Sequence, residues 1–375
     1  MMLIGVLGAS GFIGTRAVEM LHADGHDVRP IGRSLGRLEG LSDLDLDCRV
    51  ANCFDRASLE AAFQDCDVVI HSVLGSPGLI RGSIAPAYQA AQRAGVRLLI
   101  YLSSAIVHTC APAVGTTEAT PPIVNQPFPA HQAKIDAEQK LWQLRSQGEV
   151  GVTIFRPGIV FGPRSRWVKE LADGLIDDRA YLIDGGQGIC NTVYIDNLIH
   201  GIRLALTTPA ADGETFFVGD RERVTWGDFY RPFAQVLGVD LAGLPAVTVP
   251  TFSHPWPERA IYSFRNSELV QKAISMVPDQ LKQQLKSAAS SRASVPTPTV
   301  PSAAPPVITE MMSILQQAEY QLPWTKAEQI LGYQPIVSFE QGCDRSIEWL
   351  AQIDRFQPLL ESKVADPTDE DRQLS

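Results

Sequence analysis

The chain begins with an apolar run that leads directly into a glycine-rich turn and then into a segment with helical spacing. Leu3–Leu7 is apolar, and Gly8, Gly11 and Gly14 follow it. Gly8 permits a tight turn, Gly11 lets backbone amides approach a pyrophosphate, and Gly14 lets the helix pack closely on the strand. The helix N-terminus supplies free N–H groups and a positive dipole end. This strand–turn–helix context predicts a dinucleotide-binding unit rather than an ordinary glycine-rich turn.

Charge and composition restrict the partners. The net charge of −10 argues against general nucleic-acid binding, because no basic stripe is present to displace counterions from phosphates. No apolar run approaches the roughly 20 residues that span a bilayer, and the start lacks the basic region of a signal peptide. The cysteines show no CxxC pair, which predicts reduced thiols in a cytoplasmic protein and no metal site. They are Cys48, Cys53, Cys66, Cys110, Cys190 and Cys343.

Strand and helix patterns alternate over the first half of the chain, which predicts an α/β fold: a Rossmann-type, doubly wound parallel sheet with a smaller C-terminal α/β substrate-binding region. The predicted strands are Leu3–Leu7, Asp27–Ile31, Asp47–Ala51, Val68–His71, Arg97–Ser103 and Val152–Arg156. The predicted helices are Thr15–Asp24, Ala57–Phe63, Pro86–Ala94 and Gln132–Gln147, with a long loop over Ala111–Pro129.

This pattern predicts an NAD(P)-binding domain over residues 1–163 and an interleaved substrate-binding region over 164–358. Residues 287–306 are rich in Ser, Ala and Pro, which favours a disordered insertion. An apolar stripe over 265–286 is typical of a helix packed on its own domain, although a surface for a partner or membrane is the alternative. Residues 359–375 are predicted to form a flexible tail.

The order of motifs resembles the extended short-chain dehydrogenase/reductase family, in its NAD(P)-dependent epimerase/dehydratase branch. The resemblance covers about residues 3–350 and rests on motifs that occur in the family's order. They are GASGFIG (8–14), Asp55 after the third strand, DVVIHSV (67–73), YLSSAIVH (101–108), IFRPGIVFGP (154–163), NTVYIDNLIHGI (191–202) and KAEQILGYQPIVSFEQG (326–342).

The resemblance implies a catalytic Ser, Tyr and Lys beside a nicotinamide. In the family the Tyr hydroxyl transfers a proton, the Lys cation lowers the Tyr pKa and holds the ribose, and the Ser hydroxyl orients the substrate. Ser104 and Lys134 match the Ser and the Lys, but the Tyr position, four residues before the Lys, holds Ala130. The implied cofactor site comprises Gly8, Ser10, Gly11, Phe12, Ile13, Gly14, Arg33, Asn52, Cys53, Ser72, Val73, Ser103, Lys134, Pro157, Gly158 and Val160.

The alanine at position 130 has two explanations. The protein has diverged and uses another acid or none, or a tyrosine has been replaced and the chain is an impaired or inactivated variant. His131 is adjacent, but one helical residue turns it about 100° from the expected direction. His108, Tyr101 and Tyr194 cannot be placed from the sequence.

The end of the second predicted strand bears on the choice of cofactor. Proteins that select NAD usually carry an acidic residue there for the ribose hydroxyls, whereas this chain has Gly32 followed by Arg33, with Arg37 further on. A guanidinium suits the 2′-phosphate of NADP. The sequence therefore favours NADP over NAD, the alternative being that both arginines are ordinary loop residues.

The substrate is expected above the carboxyl-terminal edge of the sheet. Candidate contacts are Ser104, Arg164, Arg166 and Asn191, because two arginines after the FRPGIVFGP motif would suit a pyrophosphate. The arginines are as readily interpreted as ordinary loop charges. Asp196 is interpreted as a helix N-cap.

The leading hypothesis is a hydride-transferring oxidoreductase or epimerase that acts on a sugar, with a nucleotide-linked sugar favoured. The resemblance also implies a homodimer. A reductase of a non-sugar ketone and a non-catalytic NADP(H)-binding regulator are the alternatives. The first predicts net cofactor consumption, and the second predicts binding without turnover.

Overall fold

Seven parallel strands form a central sheet in the computed structural model, which describes residues 2–245, 247, 249–252, 272 and 306–364. With the two strands of a separate pair, β7 and β8, the described strands are β1 (Leu3–Leu7), β2 (Asp27–Gly32), β3 (Arg49–Val50), β4 (Val68–His71), β5 (Leu98–Leu102), β6 (Gly151–Phe155), β7 (Ile159–Phe161), β8 (Thr192–Tyr194) and β9 (Thr215–Phe216). The helices are α1 (Phe12–Ala23), α2 (Arg56–Phe63), α3 (Pro77–Gly82), α4 (Ile84–Arg93), α5 (Pro129–Arg145), α6 (Arg166–Ile176), α7 (Ile195–Thr207), α8 (Trp226–Leu237), α9 (Glu310–Leu315), α10 (Thr325–Leu331), α11 (Phe339–Leu350) and α12 (Gln357–Val364).

The strand order is β3-β2-β1-β4-β5-β6-β9, and β7 and β8 form a separate parallel pair. Leu7 at the end of β1 lies between Ile31 of β2 and His71 of β4. The chain therefore reverses its direction of travel across the sheet between β1 and β4. A crevice opens at the carboxyl ends of strands at such a switch point, and ligands of open α/β sheets bind there.

Consecutive residues of the central strands enter different cores. Val68 and Ile70 of β4 pack on the side of α1 and α7, whereas Val69 packs on the side of α2 to α5. Because side chains alternate along a strand, a strand covered on both faces must be apolar throughout. This explains the continuous apolar runs of the sequence and confirms the predicted fold class.

The segment 306–322 returns to the carboxyl-terminal edge of the sheet. The Trp226 indole N–H donates to the Leu315 carbonyl at 2.9 Å, and Ile189 N donates to the Ala318 carbonyl at 2.6 Å. Leu322 N donates to Asn191 Oδ1 at 2.7 Å. These bonds fix the segment against β8 and α8, where it becomes a wall of the site described below.

Several predicted boundaries shift. The helix expected from Thr15 begins at Phe12, and the helix expected from Gln132 begins at Pro129, because Gly11 and Phe128 end the preceding extended backbone. The tail prediction is wrong for 359–364, since α12 covers these residues and Leu360 is buried. The insertion over 287–305 and the stripe over 265–286, except Lys272, lie outside the described residues. None of the described helices has the length and apolar character needed to cross a bilayer.

Candidate functional site

The turn between β1 and α1 forms a backbone cradle. Gly8 has a φ of +93°, and a Cβ there would lie 2.9 Å from Ser72 Oγ. A Cβ on Gly14 would lie only 2.2 Å from the Gly8 carbonyl oxygen. Gly11 precedes α1 in extended conformation and gives no side-chain cap. The first amides of the helix are therefore left for an external acceptor, which fits the pyrophosphate of a dinucleotide.

A cavity of about 340 Å³ adjoins this cradle and is called the central cavity here. Its nucleotide end is lined by Phe12 and Ile13 of α1 and by Ser72 and Val73 after β4. Ser72 Oγ donates to the Leu7 carbonyl at 2.9 Å, which joins β4 to the cradle. The volume is within the range of small-molecule sites.

The polar side chains that line the central cavity include Ser104, His131 and Lys134. Within the described part of the chain, Ser104 Oγ makes only long hydrogen bonds: it donates to the Pro157 carbonyl at 3.4 Å and accepts from Ile106 N at 3.4 Å. Hydrogen bonds of this length are weak. The hydroxyl is thus available to a bound substrate. Ser103, Pro157, Gly158 and Val160 line the same cavity, and their cofactor contacts stay predictions.

Lys134 projects from α5 toward the end of β5. Its Nζ donates to the Leu102 carbonyl at 2.6 Å and lies 4.9 Å from the centre of the Tyr101 ring. Burial lowers the pKa of this ammonium to about 8, while the nearby Glu138 charge opposes the shift. The lysine therefore remains mostly charged at neutral pH, with one hydrogen bond already fixing its direction.

Position 131 faces the cavity, and this corrects the expectation that His131 points away from the site. The sequence placed Ala130 on the face of Lys134, but Ala130 is half-buried and does not line the central cavity, whereas His131 does. At about 100° per residue, position 130 is about 40° to one side of Lys134 and position 131 about 60° to the other. Both positions therefore share its face.

The other residues considered as substitutes for the tyrosine have different roles. His108 lies 2.9 Å from Arg156, which also forms a buried ion pair with Glu138 at 2.5 Å. Tyr101 is fully buried beneath Lys134. Tyr194 packs on Phe161. None of His108, Tyr101 and Tyr194 is among the described residues that line the central cavity.

The structure places some of the predicted substrate contacts in the central cavity and others outside it. Arg164 does not line the central cavity and instead bonds to Glu19 of α1 at 2.8 Å. Arg166 lines it, but its side chain is 85% exposed and paired with Glu170 at 2.5 Å. Asn191 lines it too, and its amide holds the returning segment by donating to the Tyr320 carbonyl at 3.1 Å.

The N-cap interpretation of Asp196 is wrong. The residue before α7 is Tyr194, which makes no side-chain cap, and Asp196 lies inside the first turn. Its carboxylate is nearly buried and accepts two bonds from Arg16, at 2.6 and 2.8 Å. The carboxylate thus links α7 to α1, a contact between distant segments that no local pattern reveals.

The region expected to contact the adenosine ribose is open. Gly32 ends β2, and Arg33 and Arg37 are exposed. No ion pair among the described residues engages either guanidinium. Cys53 lies near Arg33, and burial raises the pKa of its thiol to about 11. Asn52 Oδ1 accepts from Phe54 N at 3.1 Å, which shapes this loop.

The sequence did not predict the residues that form the far wall of the central cavity. It is formed by side chains that are mostly apolar: Cys110, Pro112, Trp167, Ile189, Trp226, Met311, Leu315 and Leu322. Lys134 and Arg166 are the charged residues among the described cavity lining. The signals were weak, because these residues come from unconnected segments, some on the far side of the low-complexity stretch.

A parallel sheet with a glycine cradle at its switch point defines a Rossmann-type dinucleotide-binding protein. Residues 4–219 match the family model described as the NAD dependent epimerase/dehydratase family, and the chain belongs to this family. The resemblance drawn from the motifs is therefore confirmed.

Relatives include both reductases and epimerases. A Stigmatella aurantiaca protein named 4-hydroxy-2-methyl-3-oxo-4-farnesyl-3,4-dihydroquinoline-1-oxide ketoreductase is 23% identical over 62% of this chain and 73% of its own length. The UDP-glucose 4-epimerase of Mycolicibacterium smegmatis is 26% identical over 62% of this chain and 82% of its own. The crystal structure of a Thermotoga maritima UDP-glucose 4-epimerase with UDP-glucose has a TM-score of 0.65 and 19% identity, covering 94% of this chain and 99% of its own. This structural match supports the fold.

Proposed function

We propose that the protein is an NAD(P)-dependent enzyme that transfers hydride between the nicotinamide and a hydroxyl- or carbonyl-bearing carbon of its substrate. One observation carries the proposal: the central cavity joins the glycine cradle to Ser104, His131 and Lys134. Carbonyl chemistry of this kind needs a hydride carrier, a group that orients the oxygen and a group that handles its proton.

The residues of the chain supply orientation and charge. The cradle holds the pyrophosphate through the amides of Phe12 to Gly14, since the Gly11 amide already donates to the Gly8 carbonyl at 3.0 Å. When bound, the nicotinamide supplies hydride transfer. The Ser104 hydroxyl hydrogen-bonds the substrate oxygen, since its intramolecular bonds are long. The Lys134 ammonium holds the ribose, a role that the family resemblance implies, and also stabilises negative charge on the substrate oxygen.

The cavity wall favours an apolar alcohol or ketone as the substrate. A nucleotide-linked sugar, the leading expectation from the sequence, needs cations for its pyrophosphate, but Arg164 is bonded to Glu19 and Arg166 lies exposed beside Glu170. Contact between apolar side chains such as Trp226 and Leu315 and an apolar substrate skeleton lowers the free energy of the complex. The same side chains give sugar hydroxyls no hydrogen-bond partners. A nucleotide-linked sugar remains the second candidate, since Arg166 lines the cavity and one of the relatives named above is a UDP-glucose 4-epimerase.

We further propose NADP as the preferred cofactor, with NAD as the alternative. Arg33 and Arg37 are exposed near the end of β2, and the last residue of that strand is Gly32, which has no carboxylate. A guanidinium forms strong paired hydrogen bonds to a phosphate. The cytoplasmic location and the homodimer stay predictions.

Binding and turnover test this proposal in sequence. Titration with NADPH and NADH, followed by cofactor fluorescence, should give saturable binding of at least one; binding of neither would refute the proposal. The protein is then incubated with oxidised cofactor and either a 3β-hydroxysteroid or UDP-glucose. Stoichiometric gain of the reduced-nicotinamide absorbance with the steroid is expected. Conversion of UDP-glucose to its epimer without net reduction would favour the second candidate.

A third outcome concerns the alanine at position 130. Cofactor binding without turnover of either substrate class, in both this chain and Ala130→Tyr, would support the non-catalytic regulator. Turnover that appears only in Ala130→Tyr would show that the chain is an impaired variant.

A further inference from the structure

We infer that His131 is the catalytic residue that accepts the substrate hydroxyl proton in this chain, through its Nε2 atom. The inference rests on the proposed hydride-transfer function and identifies the residue that performs the step for which the family resemblance implied a tyrosine. It is carried by the position of His131 in the central cavity and by the hydrogen bonds that fix its ring.

The position of His131 on its helix brings the residue into the cavity. His131 lies in the first turn of α5, three residues before Lys134, and both side chains line the central cavity with Ser104. Residues three apart on a helix are neighbours on its surface. Both side chains therefore project from the side of the helix that faces the cavity. The ring is buried, and Phe128 packs on it with 4.8 Å between ring centres.

Hydrogen bonds around the ring determine the tautomer of His131. The Gln126 side-chain amide donates to the carbonyls of Ile106 at 2.9 Å and Val107 at 3.1 Å. These two bonds fix which end of the amide is nitrogen, so Gln126 Oε1 faces His131 Nδ1 at 3.1 Å. A carbonyl oxygen only accepts, and Nδ1 must therefore carry the hydrogen and donate it.

The lone pair is then on Nε2, at the opposite edge of the ring. No hydrogen bond or ion pair in the described part of the chain uses this atom. An unprotonated ring nitrogen in a substrate cavity is a proton acceptor. Burial lowers the pKa of His131 to about 4, so the ring is neutral at neutral pH and its Nε2 carries no proton. The same burial makes it a weaker base than an exposed imidazole.

Cys110, Lys134 and Ser104, the other groups considered for this role, each carry a hydrogen at neutral pH. Burial raises the pKa of the Cys110 thiol to about 12, which keeps it protonated. Lys134 is a cation whose Nζ already donates to a carbonyl. Hydroxyls such as Ser104 need a base of their own before they can take up a proton.

The proposed step balances as follows. The O–H bond of the substrate alcohol breaks and its proton moves to His131 Nε2. The neighbouring C–H bond breaks with its electron pair moving to the oxidised nicotinamide. The products are a ketone, reduced cofactor and a protonated imidazole, and the imidazole then returns its proton to solvent. In the direction of ketone reduction the protonated imidazole donates instead.

Nitrogen NMR of histidine-labelled protein tests the tautomer without any turnover. The His131 signals are assigned by their loss in His131→Asn. We expect a protonated Nδ1 and an unprotonated Nε2 at neutral pH, both in the free protein and with oxidised cofactor bound. A hydrogen on Nε2 in both states would overturn the inference, whatever the outcome for the proposed function.

Kinetics provide the second test. An asparagine amide can keep the bond to Gln126 but cannot accept the proton, so His131→Asn and His131→Ala should both lose about 10²- to 10⁴-fold in kcat. Added imidazole should partly rescue the alanine variant. His22→Asn, at the far end of α1 and outside the cavity lining, is the matched control and should keep wild-type kcat.

Two results would contradict the role of His131 in an active enzyme. One is full turnover in His131→Asn, which would reduce the histidine to a packing role. The other is a gain of more than about tenfold in Ala130→Tyr, since an added phenol should bring little where a base is already in place. Both are distinct from failure of the proposed function, which would appear as absent cofactor binding or absent wild-type turnover.

Discussion

The two ends of the central cavity are built in different ways. The nucleotide end centres on one contiguous turn whose shape depends on Gly8 and Gly14, and the groups proposed to bind the cofactor there are backbone amides. The far end is assembled from side chains of distant segments, such as Cys110, Trp226 and Leu315. A site made of backbone leaves a local motif in the sequence, whereas a site made of converging side chains becomes visible only after folding.

The largest expected effect tests the backbone end. In Gly14→Ala the new Cβ would be placed 2.2 Å from the Gly8 carbonyl oxygen, so α1 must move away from β1. Because the amides proposed to bind the pyrophosphate move with the helix, cofactor affinity should fall by at least about 100-fold, the equivalent of two charge-assisted hydrogen bonds. Titration with NADPH and NADH measures the effect.

The matched control for this change is Gly40→Ala. A Cβ added at Gly40 would meet no atom within 4 Å, and the φ of this glycine is not positive. The cofactor affinity and melting temperature of this variant should therefore stay at wild-type values. Wild-type cofactor affinity in a folded Gly14→Ala protein would show that the close approach of helix and strand is not required.

The next largest effect tests the side-chain end. Met311→Glu places a carboxylate in the apolar wall, and kcat/KM for an apolar alcohol should fall by about 30- to 100-fold because the charge is desolvated when the substrate binds. Cofactor affinity should not change. Ile336→Glu, a half-exposed position outside the cavity lining, is the control. Equal losses in both variants would remove the argument for an apolar substrate.

These two ends explain what the sequence could and could not predict. The apolar run of β4 and the glycines of the first turn are local signals, and the parallel sheet and its switch point follow from them. The roles of Asp196 and Arg164 were missed because their partners, Arg16 and Glu19, are far away in the sequence. The orientation of His131 was missed for a different reason. Residues three and four positions before Lys134 both lie on its helix face, so helix spacing alone does not decide which of them lines the cavity. The orientation of the His131 ring is set by its hydrogen bond to Gln126.

A smaller effect tests the choice of cofactor at the backbone end. Arg33→Ala should weaken NADP binding by about 10- to 30-fold, the effect of losing one charged hydrogen-bonding group, and leave NAD binding unchanged. Arg93→Ala removes an equally exposed cation from α4 and should alter neither. Parallel titrations with both cofactors give the ratio. An equal loss for NAD and NADP would mean that Arg33 does not contact a 2′-phosphate.

A further test connects His131 to stability. Burial lowers its pKa to about 4 in the folded protein, below the value of about 6.5 in an unfolded chain. The unfolded state therefore binds more protons between these values, and the free energy of unfolding rises with pH across that window by up to about 1.4 kcal/mol per pH unit for this histidine. Burial also lowers the pKa values of His71 and His108. Both histidines are present in wild type and in His131→Asn, so they contribute equally to the two slopes. Denaturant unfolding at pH 4.5, 5.5 and 6.5 should therefore show a shallower rise in the variant, and identical slopes would mean that the imidazole titrates normally in the folded state.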